Sequence, residues 1–124
     1  MADNVTVITE NGRNIALLRG DGTVISDGQS ALDFLASVFY EHDCRLIAIP
    51  RSALAPDFFR LATGVAGEVA QKISNYRCTL AVYGDFSEFT SKPLRDFMYE
   101  SNNSATLFFV PTEDDAIKKL AKVN

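Results

Sequence analysis

Pairs of polar residues stand just past apolar runs in this chain: Arg51 and Ser52, Asp85 and Ser87, Thr112 and Glu113. Each pair follows a strand-like segment, and in an open parallel sheet ligands collect beyond the carboxyl ends of strands. A guanidinium, a carboxylate and several hydroxyls gathered there would suit an anion or a small polar ligand. Thr63 and Gly64 begin a helix close behind Arg51, and the free amides of a helix start attract anions. The plainer role of Thr63 is to cap its own helix. Gly64 and Gly67 equally let that helix lie close on a neighbour, and their spacing matches neither a P-loop nor a dinucleotide fingerprint.

A second polar set lies along the same helix. Glu68 and Lys72 are four residues apart, in the favourable order for a surface ion pair. With Gln71 and Asn75 they make a polar face opposite Val65, Val69 and Ile73. Such a face is either solvated decoration or a docking surface for a partner protein.

Catalytic groups are poorly supplied. Asp85 and Glu100 are a carboxylate pair open to acid–base work, yet nothing in the sequence draws them together. Ser52, Ser87 and Ser91 lack a nucleophile elbow, and the single histidine, His42, stands between Glu41 and Asp43. Ser91 is expected to cap the helix that follows it. Cys44 and Cys78 share no metal-ligand spacing and read as buried, reduced thiols. No cofactor or metal is implied.

These residues need elements to position them. A chain of 124 residues, 47% hydrophobic and 23% charged, is sized for one core, here a domain over residues 1–124. Its net charge of −4 opposes nucleic-acid binding, which needs a basic surface. No apolar run approaches the ~20 residues of a membrane span, and the opening residues lack an export-signal pattern. The expected setting is the cytoplasm, with no membrane partner.

Val5–Thr9 and Ile15–Leu18 read as strands joined through Asn11-Gly12, the strongest short hairpin signal. A short extended piece at Val24-Ile25 follows. A helix is expected from Ser30, with Asp33 as its capping-box partner, through Tyr40. Leu46–Ile49 is a central strand stopped by Pro50. A helical turn near Pro56, a helix from Thr63, a strand over Cys78–Tyr83, a helix from Ser91, a strand over Ala105–Val110 and a helix from Thr112 complete the chain. The order β-β-α-β-α-β-α-β-α predicts an α/β fold, an N-terminal hairpin leading into βα units and a mixed sheet with mainly parallel strands.

The motifs Pro56-Asp57-Phe58-Phe59, Thr63-Gly64-Val65-Ala66-Gly67-Glu68, Gln71-Lys72, Asn75-Tyr76, Gly84-Asp85-Phe86-Ser87 and Glu100-Ser101-Asn102 are similar to those of the bacterial domain-of-unknown-function family 4180. That similarity implies no established activity. More distantly, the element order resembles the STAS fold of anti-sigma-factor antagonists. Those regulators carry a phosphorylatable Ser before a Gly at a helix start. Thr63-Gly64 is the nearest counterpart, with Ala62-Thr63 in place of their Asp-Ser and a longer stretch at residues 50–62.

The expected function is that of a small regulatory or adaptor domain binding another protein. The alternative is a small-ligand or anion sensor using Arg51, Ser52, Thr63, Gly64, Asp85 and Ser87 at the strand ends. An enzyme comes third. A homodimer through the exposed hairpin edge is left open.

Overall fold

Asn11 and Gly12 both adopt positive φ, 55° and 76°, as a type I′ turn requires. They join β1 (Val5–Glu10) to β2 (Arg13–Leu18) in the structure, a computed structural model that describes residues 4–123. The six antiparallel pairs run without a bulge from Val5↔Leu18 to Glu10↔Arg13. The chain then continues through α1 (Gly28–His42), β3 (Leu46–Pro50), three 3-10 turns between Arg51 and Thr63, α2 (Val65–Asn75), β4 (Thr79–Tyr83), α3 (Lys92–Asn102), β5 (Leu107–Val110) and α4 (Glu113–Leu120).

The sheet order is β1-β2-β3-β4-β5, antiparallel at the hairpin and parallel across the other three pairings. When parallel strands are added in chain order, right-handed crossovers put every connecting helix on the same face. Accordingly α1, α2 and α3 pack together on Ala16, Leu18, Ile47, Ile49, Leu80, Val82 and Phe109. The other face, with Ile15, Leu17, Ala48, Ala81 and Phe108, is covered by Ala116 and Leu120 of α4. Strand order never reverses among the parallel strands, so the sheet has no topological switch point to open a crevice by itself.

Several helix starts differ from expectation. α1 is capped by Asp27, whose carboxylate accepts from the Ser30 N–H at 2.8 Å. Ser30 is the partner in this capping box, its hydroxyl oxygen accepting from the Asp27 N–H at 3.0 Å. Asp33 instead accepts from the Gln29 side chain at 2.9 Å. Ser91 occupies the cap position of α3, but its hydroxyl caps nothing. Pro93, in the first turn, has no N–H to offer it. Thr112 does cap α4 by accepting from the Asp115 N–H at 3.1 Å, and its own hydroxyl donates to the Asp115 carboxylate at 2.9 Å. Strands β4 and β5 begin later than expected, at Thr79 and Leu107. Cys44 and Cys78 are free and buried.

Candidate functional site

Two loops rise past the carboxyl ends of β3 and β4 and enclose what the sheet alone does not. The first runs from Pro50 through the 3-10 turns Arg51–Ala53 and Pro56–Phe59. Its start is held by a strand-like bridge between Ile25 and Leu54, with the Ile25 N–H donating to the Ala53 carbonyl at 2.9 Å. The second loop leaves β4 at Gly84 and carries Asp85 to Phe89. Between them lies an open groove of about 940 Å³. Pro50, Leu54, Pro56, Phe59 and Phe89 give it an apolar lining, and Thr23, Ser52 and Tyr83 add hydroxyls at its margin.

Arg51 lines this groove. Its guanidinium donates to the Asp85 carbonyl and pairs with Glu88 at 2.9 Å. It also lies over the Phe89 ring, 4.5 Å from the centroid, the geometry of a cation–π contact. Phe89 in turn stacks on Phe59 at 4.5 Å with the rings 7° from parallel. Phe58, Phe86, Phe97 and Phe109 pack around this pair, mostly edge to face, and tie it to the core. Gly84 makes the close approach possible. Its φ is 153°, and a Cβ there would stand 2.9 Å from the Arg51 Cβ.

The remaining strand-end residues are used locally. Asp85 accepts from the Ser87 N–H at 2.9 Å, an Asx turn that closes the loop. The Ser87 hydroxyl and amide hold the Asp85 carboxyl below its usual range. Tyr83 donates to Glu113 at 3.4 Å, and Arg19 pairs with the same carboxylate at 3.2 Å. Burial first, and then the Glu113 charge, raise the Tyr83 phenol.

Of the residues singled out by sequence, Arg51 and Ser52 line the groove and Asp85 and Ser87 form its second loop. Thr63 and Gly64 do not line it. The Thr63 hydroxyl lies 2.8 Å from the carbonyls of Asp57 and Arg60 and accepts from the Val65 N–H at 3.2 Å. It fastens the last 3-10 turn to the start of α2, whose cap position is Gly64 at φ 81°. The expected Glu68–Lys72 ion pair is not formed. Glu68 instead accepts from the Gly28 N–H at 3.1 Å and lies, with Lys72, against the start of α1. Gln71 and Asn75 stay exposed on the outer side of α2. Asp85 and Glu100 share no contact.

Sequence reading missed Phe59, Arg60, Glu88 and Phe89 as site residues. The usable signal was a run of phenylalanines, Phe58, Phe59, Phe86 and Phe89, in the two loops that follow β3 and β4.

Residues 10–120 match the family described as a domain of unknown function (DUF4180). The chain belongs to this family. The DUF4180 match spans both groove loops and all of α2. No curated protein and no solved structure matches the chain.

Proposed function

We propose that this DUF4180 domain is a regulatory binding module that takes a small ligand in the groove between residues 50–60 and 84–89. One observation carries this reading: a guanidinium held over an aromatic stack at the rim of an apolar hollow. Pockets of a few hundred to about 1,000 Å³, mostly apolar with a few convergent polar groups, are the usual form of small-ligand sites. The groups around Arg51 orient a charge and offer no nucleophile paired with a base, which favours binding over bond-making. A cytoplasmic setting is supported by the two free, buried thiols.

A thermal-shift screen of the full chain with nucleotides, phosphates and acyl or aromatic carboxylates tests the reading. A ligand that binds only the native state must raise the melting temperature. The expected result is a rise with at least one class, abolished by Phe89→Ser. Absence of any rise at millimolar concentrations overturns it.

A second reading, an adaptor that docks a protein through α2, rests on Gln71 and Asn75, which are exposed and make no side-chain hydrogen bond among the described residues. Pull-down from cell extract with wild type and the Gln71→Ala, Asn75→Ala double variant separates the two. A partner lost in the double variant favours the adaptor. A STAS-like switch at Thr63 gains no support, because its hydroxyl is engaged with backbone.

A further inference from the structure

On the reading of the groove as a binding site, we propose that it recognises a small carboxylate with an apolar, ring-sized body, and that Glu88 holds the carboxylate position while the groove is empty. The charged groups of the lining point this way. Of its two arginines, Arg60 is paired with Asp57 at 3.5 Å, so the cation that the groove itself presents is Arg51.

The two members of the ion pair differ in how firmly they are held. The Arg51 side chain is only 30% exposed, whereas that of Glu88 is 65% exposed. Arg51 is fixed by the Asp85 carbonyl and by the Phe89 face. Glu88 has no second partner among the described residues. Arg51 is thus a pre-positioned fork, and Glu88 is its exchangeable occupant. Exposed ion pairs contribute little, so another carboxylate can displace Glu88 at small cost. Arginine's planar donors suit a carboxylate in two-point contact.

The body of the ligand follows from the walls. Pro50, Leu54, Pro56 and the edges of Phe59 and Phe89 present apolar surface next to the charge, so an inorganic anion would leave most of the groove unused. An aryl or compact alkyl group one or two carbons from the carboxylate spans both features. Arg60 at the rim is already paired with Asp57 at 3.5 Å, which leaves Arg51 as the recognising cation.

Titration calorimetry of the full chain with phenylacetate, acetate and 2-phenylethanol tests the proposal. Phenylacetate should bind about tenfold tighter than 2-phenylethanol, the factor that a hydrogen bond to a charged group supplies. Acetate should give no measurable heat at about 10 mM, for want of apolar contact. Arg51→Gln should erase the preference for phenylacetate over 2-phenylethanol. Glu88→Gln should tighten phenylacetate about threefold, by removing the internal competitor. This surface substitution leaves the packing of Arg51 in place, so it tests the claim even if Arg51→Gln weakens the fold. Equal binding of phenylacetate and 2-phenylethanol, or weaker phenylacetate binding in Glu88→Gln, overturns the carboxylate assignment and leaves the groove standing. Silence of both aromatic probes overturns this proposal, and the thermal-shift screen then decides whether the groove reading falls with it.

Discussion

Glu68 on α2 accepts a hydrogen bond from the Gly28 N–H, the first amide of α1, at 3.1 Å. Helix starts leave amides without intrahelical partners, and a carboxylate there also meets the positive end of the helix dipole. The contact clamps α1 to α2 and leaves little room for a side chain at residue 28. A Cβ at that position would stand 3.1–3.2 Å from Glu68. Glu68 therefore belongs to the packing of the crossover helices.

Glu68→Ala should lower the unfolding free energy by about 1 kcal/mol, as loss of a helix cap does. Gln71→Ala and Asn75→Ala, on the open side of the same helix, should stay within about 0.5 kcal/mol of wild type. Urea denaturation of the three variants checks the ranking.

Gly84→Ala brings a Cβ to 2.9 Å from the Arg51 Cβ at a backbone φ of 153°. Strain and overpacking together should cost about 2 kcal/mol. Because the shift falls on Arg51, any ligand that raises the melting temperature of wild type should do so less in this variant. A thermal melt with and without the ligand reads both effects.

Burial pushes the Cys78 thiol from an ordinary value of 9.0 up to about 11, with Arg45 opposing weakly. In the unfolded chain this thiol ionises first, so ionisation favours unfolding. Stability should hold below pH 9.0 and fall as pH rises toward about 11. Cys44 and Tyr83, both raised chiefly by burial, add to the same slope. Urea midpoints across that window should fall less steeply in Cys78→Ala, and neither thiol should react with an aromatic disulfide reagent in the native protein.

Asp27 behaves in the opposite sense. The Ser30 amide and hydroxyl hold its carboxyl below the ordinary 3.8. The carboxylate form therefore stabilises α1 above that value, and the contribution fades as pH falls through the lowered one. Asp27→Ala should unfold at lower urea than wild type at neutral pH. The gap should close in strong acid.

The fold was largely legible because its signals are local. Asn11-Gly12 required a tight hairpin, and the alternation of apolar strands with one-sided helices required parallel crossovers. The start of α1 was misplaced for a non-local reason. Asp27–Ser30 and Ser30–Asp33 have the same spacing, and the earlier start gains from Glu68, which lies 40 residues away and supplies the first amide with a partner. The site was half legible. Arg51 and Asp85 were visible as strand-end residues, since β3 and β4 had clear ends. The meeting of Phe59 with Phe89, and of Arg51 with Glu88, depends on β3 and β4 being neighbours. Their order is a property of the assembled sheet that no local pattern records. Thr63 was expected to cap α2, but the cap position is Gly64, and the Thr63 hydroxyl one residue earlier accepts from the Val65 N–H. Proximity in sequence to Arg51 did not carry it into the groove, because the intervening turns lead the chain away.

Amide chemical-shift mapping of the nitrogen-15-labelled full chain during addition of phenylacetate tests whether the groove between residues 50–60 and 84–89 is a binding site. Progressive shifts confined to Arg51–Arg60 and Gly84–Phe89, the two loops that line the groove, are expected. Shifts centred on Gln71 and Asn75, or no shifts at all, would contradict a binding site there.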